Sequence, residues 1–263
     1  MNIFFRELRA NRKALIIWSI CMFLGVLSGM TKYTAYSSGA NNEVFDKMPF
    51  TMKALFGFGA FDVTAISGFF AFLFTYLVVA AAIHAVLLGN GIVAKEERDK
   101  TSEFLMTKPV SRTTVITSKL LAAAVNIIIV NLVSLFSSMV MVAAYNKGKD
   151  ITGEIVLFFA SMLIIQVIFL SLGAFLASVM KNPKASGSIG AGILFAAYVI
   201  SKITDLTDKV NYLNILSPFK YFNNVDIVNG NGLSVFAVIL SIILSAALFG
   251  SAYILYQRRD IKT

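Results

Sequence analysis

Four polar residues stand within long apolar stretches and are the first candidates for chemistry: His84, Asn126, Asn131 and Gln166. His84 is the only histidine, and in apolar surroundings it could relay protons or bind a substrate. A packed, hydrogen-bonded histidine near one end of its helix is the alternative. The three amides could line a path through the protein, although hydrogen bonds between helices explain them equally well. All four are therefore candidates for a path, with helix packing as the alternative.

These stretches contain few of the residue types that enzymatic catalysis requires. Because Cys21 is the single cysteine, neither a disulfide framework nor a multi-cysteine metal site is available. Cys21 also lies in a different apolar stretch from His84. No Gly-x-x-x-x-Gly-Lys-Ser/Thr sequence occurs, and Gly148-Lys149 stands in a short turn. An enzyme acting within a membrane would need clustered Asp, Glu, His or Cys. We predict no catalytic, cofactor-binding or metal-binding residue in the chain.

The four polar candidates lie within a set of six long runs that contain no Asp, Glu, Lys or Arg. The runs are 14–31, 63–94, 120–146, 155–180, 185–201 and 227–257. A transmembrane helix needs about 20 mostly apolar residues, so each run is long enough or nearly long enough to cross a bilayer. Composition agrees, because 57% of residues are hydrophobic and only 14% are charged. These features exclude a soluble domain.

The runs predict an all-α polytopic membrane protein that forms one transmembrane domain over residues 1–263. Six spans are expected at about 14–31, 66–88, 120–145, 155–180, 185–201 and 233–257. The amphipathic pattern of residues 2–12 predicts an elbow helix along the membrane surface before the first span. We expect Gly89, Asn90 and Gly91 to loosen the end of the second span. No remaining segment is long enough for a separate catalytic domain of ordinary size.

The distribution of charge predicts the orientation. If the amino terminus is inside, 15 of the 23 basic residues and six of the 14 acidic residues lie inside, so the whole net charge of +9 is on that face. This asymmetry satisfies the positive-inside rule and places both termini in the cytoplasm. It also disfavours a basic surface that binds nucleic acid. The outer loops are then 36–62 and 202–232, the second ending in the turn Asn229-Gly230-Asn231-Gly232.

The most specific segment is the cytoplasmic loop 95–119. A merely solvated connector would not need Phe104, Leu105 and Met106 between two charged blocks. A short amphipathic helix with this pattern could present an apolar knob to a partner protein while its charges hold the register. Pro109 would end that helix, and Ser111 is placed to cap the next one. A polar loop that only anchors two spans at the headgroups is the alternative.

This loop resembles the membrane subunits of type 2 ABC exporters. That family carries an acidic residue, a Thr and Glu, a leucine pair, Pro-Val-Ser-Arg and Lys-Leu-Leu between its second and third spans. The matching positions here are Glu97, Thr101, Glu103, Leu105 with Met106, Pro109 to Arg112, and Lys119 to Leu121. Lys100 stands where a glycine is common in the family. A second match is Leu216–Phe222, which contains Ser-Pro-Phe followed by aromatic residues.

The resemblance implies a permease subunit of an ATP-driven exporter in a cell membrane, and we expect a bacterial one. ATP and Mg²⁺ would bind to a separate cytoplasmic ABC ATPase, and a second permease subunit, alike or different, would complete the path. The substrate would be amphiphilic or apolar, such as a peptide, an antibiotic or a lipid-like molecule. The coupling helix, at about Glu97 to Thr107, would dock on the ATPase. Docking residues would be Glu97, Arg98, Thr101, Glu103, Phe104, Leu105, Met106, Pro109, Ser111 and Arg112.

Two other classes of function compete with this one. An ion-coupled secondary transporter would normally place a carboxylate or other charge near the middle of the membrane, and the six runs contain none. The amphipathic cytoplasmic loop disfavours a purely structural membrane anchor. The exporter interpretation therefore remains the expected function, with the secondary transporter as its main alternative.

Overall fold

The computed structural model describes residues 3–37, 49, 51–53, 62–99, 110–146, 148, 150–180 and 182–258. Its main helices are α1 (Ile3–Met30), α2 (Tyr33–Ser37), α3 (Ile66–Val93), α4 (Lys95–Arg98), α5 (Arg112–Tyr145), α6 (Thr152–Val179), α7 (Pro183–Leu206), α8 (Asn224–Val228) and α9 (Val235–Arg258). Most of the predicted outer loop 36–62 lies outside the described residues. No strand occurs in the described ranges, which confirms the all-α class.

Within the described ranges, six helical segments are long and apolar enough to cross a membrane. They are Ile3–Ser37, Ile66–Val93, Arg112–Tyr145, Thr152–Val179, Ala185–Leu206 and Val235–Arg258. Their number confirms the six predicted spans. Because the six segments follow one another in an even number of crossings, α1 begins and α9 ends on the same side of the bundle, called here the amino-terminal side.

The helices differ from the predicted spans mainly at their ends. α1 continues without a break from Ile3, so the amphipathic residues 2–12 do not precede the span as a separate elbow in the described chain. Helix formers such as Ala10 and Leu15 continue the α-helix, and no glycine or proline precedes Gly25. α5 likewise begins at Arg112, before the predicted span, and α7 continues to Leu206.

Two spans form the centre of the bundle. α3 and α6 are the most buried candidate spans and pack along each other. α1 packs along α5, α9 packs against α6 and α5, and α7 packs against α3 and α6. Many exposed side chains of the outer helices are apolar, including Ile17 of α1, Phe136 of α5 and Phe236 of α9. Apolar exposed faces around a packed centre are what a bilayer requires.

Glycines allow α3 and α6 to approach closely. A Cβ atom added at Gly89 would lie 2.2 Å from the carbonyl oxygen of Leu170, and one added at Gly173 would lie 2.2 Å from the carbonyl oxygen of Val86. Each glycine therefore accommodates the backbone of the other helix. The prediction that Gly89, Asn90 and Gly91 loosen the helix end is wrong, because α3 continues through them to Val93 and packs there.

The second quoted match, Leu216–Phe222, lies on the side opposite the amino terminus. Ser217 Oγ donates a hydrogen bond to the carbonyl oxygen of Ala197 in α7 at 2.7 Å. The Phe219 ring lies 5.2 Å, centroid to centroid, from that of Phe169 in α6. The segment thus fastens the connection between α7 and α9 onto two spans. After it, Gly230 and Gly232 have φ of 80° and 73°, values that favour glycine and confirm the predicted turn.

Candidate coupling site

The structure describes the two ends of the predicted docking segment. Glu97 and Arg98 belong to α4, and Ser111 and Arg112 lie at the start of α5. The remaining docking residues lie outside the described residues: Thr101, Glu103, Phe104, Leu105, Met106 and Pro109. Their role in binding an ATPase stays a prediction. The site is therefore built from the elements that fix the segment at each end.

A buried ion cluster fixes the first end. It consists of Arg6 and Glu7 from α1, Lys95 and Glu96 from α4, and Lys119 from α5. Arg6 Nη2 lies 2.9 Å from Glu7 Oε1 and 3.2 Å from Glu96 Oε1, and Lys95 Nζ lies 3.0 Å from Glu7 Oε2. Lys119 Nζ binds Glu96 Oε2. Each carboxylate therefore has two basic partners.

The two carboxylates and Lys119 are shielded from solvent, whereas Arg6 and Lys95 are partly exposed. Glu7 and Lys119 are 0% exposed, and Glu96 is 7% exposed. Burying a charge is costly unless it is paired and hydrogen-bonded, so these groups stabilise the fold only while the partners stay together. The pairing consequently holds α1, α4 and α5 in one arrangement.

Lys119 also caps the carboxyl-terminal end of α3. Its Nζ donates to the carbonyl oxygen of Ile92 at 2.7 Å, in addition to its ion pair with Glu96. The last carbonyl groups of a helix have no partner within that helix, and lysine side chains near a helix end can satisfy them. One ammonium group thus joins the end of α3, the short α4 and the beginning of α5.

The second end of the docking segment is fixed to α9. Ser111 Oγ accepts a hydrogen bond from the backbone N–H of Thr114 at 3.1 Å, which confirms Ser111 as the predicted cap of α5. Arg112 Nη1 donates to the carbonyl oxygen of Gln257 at 3.0 Å, and the Tyr253 hydroxyl donates to Thr117 Oγ1 at 2.9 Å. Movement of this end would therefore act on the last span as well as on α5.

The four polar candidates within the spans do not form one group. Asn131 Nδ2 of α5 donates to Gln166 Oε1 of α6 at 3.2 Å and to the carbonyl oxygen of Phe159 at 3.1 Å. Asn126 Nδ2 donates within its own helix, to the carbonyl oxygen of Ala122 at 2.7 Å.

His84 stands apart from the amides. Its ring packs beside that of Trp18, with ring centroids 5.1 Å apart.

The hydrogen bond from Asn131 to Gln166 is the kind of interhelical contact that the packing alternative expects. A role for any of these residues in a translocation path stays a prediction.

Sequence reasoning missed the ion cluster as a unit. Lys119 entered it only as part of a motif, and Glu7 only as one charge of an amphipathic segment. One signal could have identified both residues. Glu7 is the only acid in an otherwise basic amino-terminal segment, and Lys119 directly precedes a long apolar run. Charges in such positions are often paired, because an isolated charge beside apolar surroundings is unfavourable.

The fold and this site define a class: a polytopic helical membrane protein whose largest amino-terminal-side loop is anchored at both ends. A family model described as "ABC-2 family transporter protein" matches residues 1–261. The chain belongs to this family of ABC transporter permeases. Among curated proteins, none matches the chain significantly. It is therefore a membrane component of an ABC transporter, and its family implies association with an ABC ATPase subunit.

Proposed function

We propose that this chain is the permease subunit of an ATP-driven exporter that moves an amphiphilic or apolar substrate outward. A second permease subunit, alike or different, would complete the translocation path. A peptide, an antibiotic or a lipid-like molecule fits the apolar spans. ATP and Mg²⁺ would bind to separate cytoplasmic ATPase subunits. Family membership over residues 1–261 is the observation that carries the proposal.

The anchoring of the docking segment explains how ATPase closure could move the spans. At one end, Glu96 is bound to Arg6 of α1 and Lys119 of α5. At the other end, Arg112 is bound to Gln257 of α9. A displacement that reached these two ends would act on α1, α5 and α9. ATP binding would then shift the population between two conformations of the permease, provided that the ATPase binds ATP differently in each.

Substitutions in the docking segment test this coupling. Glu97→Lys and Leu105→Asp should leave the protein in the membrane but reduce transport about tenfold or more, because the contact that transmits closure is weakened. Transport and co-purification of the ATPase are the measurements. Lys209→Glu and Ile215→Asp make comparable changes at exposed positions on the opposite side and should have little effect. Normal transport and normal ATPase binding in both docking variants would show that the ATPase docks elsewhere.

The energy source separates the proposal from an ion-coupled secondary transporter. Vesicles containing the chain and its ATPase should move fluorescently labelled apolar peptides when given ATP and Mg²⁺ without an ion gradient. The physical reason is that the six charge-free runs offer no carboxylate for binding a coupling ion. Transport that follows an imposed proton or sodium gradient and ignores ATP would replace this proposal with the secondary transporter.

The proposed orientation places both termini in the cytoplasm and the protein in the plasma membrane of a bacterium. It rests on the excess of basic residues on the amino-terminal side. The test uses intact cells that express the Cys21→Ser protein with one added cysteine. A membrane-impermeant thiol reagent should label the Lys209→Cys variant but not the Lys184→Cys variant. The reverse pattern would invert the orientation.

A further inference from the structure

A cavity of about 250 Å³ lies between residues 10–18 of α1, the last turns of α3 and the short α4. Trp18 and Ala14 line it from α1, and His84 and Gly91 line it from α3. Residue 84 precedes residue 91 by about two helical turns, at a rise of about 1.5 Å per residue. The cavity is therefore elongated along α3, from the amino-terminal side toward the interior of the bundle.

The two ends of the cavity differ in chemistry. His84, at the inner end, is 3% exposed, and its Nδ1 has no hydrogen-bond partner among the described residues. Lys95 and Arg98 line the outer end. An unsatisfied buried nitrogen beside an apolar wall indicates a missing polar partner, because buried polar groups are normally hydrogen-bonded.

The basic groups at the outer end are available to an anion to different degrees. Arg98 Nε lies 3.1 Å from Asp99 Oδ1, and both side chains are about half exposed. Exposed ion pairs contribute about 0–1 kcal/mol, so the Arg98 guanidinium can exchange Asp99 for another anion at little cost. Lys95 is bound to buried Glu7 and would add to the local potential without changing partner. Arg98 is the residue that would contact an anionic ligand directly.

We propose that this cavity binds an anionic phospholipid from the leaflet on the amino-terminal side. The phosphate would bind at Arg98 and near Lys95, the start of an acyl chain would lie along Trp18, and His84 Nδ1 would donate to a carbonyl or hydroxyl oxygen of the lipid backbone. Basic pockets between transmembrane helices bind lipid headgroups in this way. The argument for this lipid site does not depend on the proposed transport function, although Arg98 also belongs to the predicted docking segment.

The dimensions favour a lipid over an enclosed ligand. Pockets that surround a drug-sized molecule measure about 300–1,000 Å³, and this cavity is smaller. It can hold a headgroup and the first part of a chain, while the rest of the lipid stays in the bilayer. On α1, the residues Ile17 and Ile20 next to Trp18 are exposed and apolar, as a lipid-facing surface requires.

The only tryptophan of the chain, Trp18, reports on the site directly. The full chain is placed in nanodiscs of phosphatidylcholine, and brominated phosphatidylglycerol or brominated phosphatidylcholine is titrated in. Bromine quenches tryptophan only when it is near the ring. One basic residue near a membrane surface contributes about 1 kcal/mol, so phosphatidylglycerol should be preferred about fivefold. Equal quenching by the two lipids would overturn the proposal.

Filling the cavity should remove the preference. A Cβ atom at Gly91 has nothing within 4 Å, so Gly91→Leu projects into open space without a backbone clash. Gly250→Leu is the matched control, because Gly250 on α9 is equally open and lies away from the cavity. The lipid preference should be lost in Gly91→Leu and retained in Gly250→Leu. Retention in both variants would place the lipid elsewhere.

A charge variant keeps the proposal falsifiable if Gly91→Leu fails to fold. Arg98→Gln should remove most of the preference, and Arg258→Gln, which removes an exposed charge on the same side, should leave it intact. Glycerol phosphate at millimolar concentration distinguishes a free phosphate from a lipid. If it displaces the brominated lipid from the site, the ligand is a free phosphate compound and the lipid proposal fails. Loss of preference in Arg258→Gln would assign it to overall charge rather than to this cavity.

Discussion

Replacing Glu96 with leucine is expected to destabilise the protein by about 3–5 kcal/mol, because it leaves Lys119 buried without its carboxylate. Lys119 is 0% exposed, and its remaining partners are backbone carbonyl oxygens at the end of α3. A carbonyl dipole compensates a buried ammonium less well than a carboxylate does. The unfolding temperature of the purified protein in detergent, followed by size-exclusion chromatography after heating, measures the effect.

A double variant separates lost pairing from lost packing. Glu96→Leu with Lys119→Met removes both charges of the pair and keeps apolar side chains of similar length, so much of the stability should return. Asp99→Leu is the control, since Asp99 forms an exposed pair with Arg98 and its loss should change stability by less than about 1 kcal/mol. If the single and double variants are equally unstable, the Glu96–Lys119 pair is not what holds α4 to α5.

Local patterns predicted the number of spans and the cap of α5, but not the ends of α1 and α3 or the pairings between distant residues. Six spans follow from the length of the charge-free runs, and Ser111 caps α5 because a serine before an apolar helix has a local preference for that position. The partnership of Glu7 with Lys95 depends on how α1 lies against the end of α3, which no sequence spacing specifies. The buried cluster that holds one end of the predicted docking segment therefore could not be inferred from the sequence.

Two glycines of α3 show the same contrast between what a local pattern predicts and what packing against another helix decides. A sequence pattern treats Gly89 and Gly91 alike, as residues that weaken a helix. In the structure Gly89 faces the backbone of α6, whereas Gly91 faces open space. The difference depends on which side of α3 meets another helix, and the nearly uniform apolar character of that span conceals it. An apolar helix that is buried on several sides offers little periodicity from which its contacts could be inferred.

Alanine should therefore be tolerated at Gly91 and should destabilise the protein at Gly89. Alanine favours a helix over glycine by about 1 kcal/mol, so Gly91→Ala should leave the unfolding temperature unchanged or raise it. At Gly89 the new methyl group would lie 2.2 Å from the carbonyl oxygen of Leu170, and because the obstacle is backbone, α3 and α6 must separate.

Separation of α3 from α6 is costly because lipid tails are as apolar as the helices, and close packing of small residues is a main source of helix association in membranes. We expect Gly89→Ala to lower stability by about 2 kcal/mol or more, in the range of overpacked cores. Gly173→Ala, which meets the carbonyl oxygen of Val86 from the other helix, should do the same. Thermal unfolding of the three alanine variants measures the contrast. Equal stability of Gly89→Ala and Gly91→Ala would show that the two central helices do not approach at these glycines.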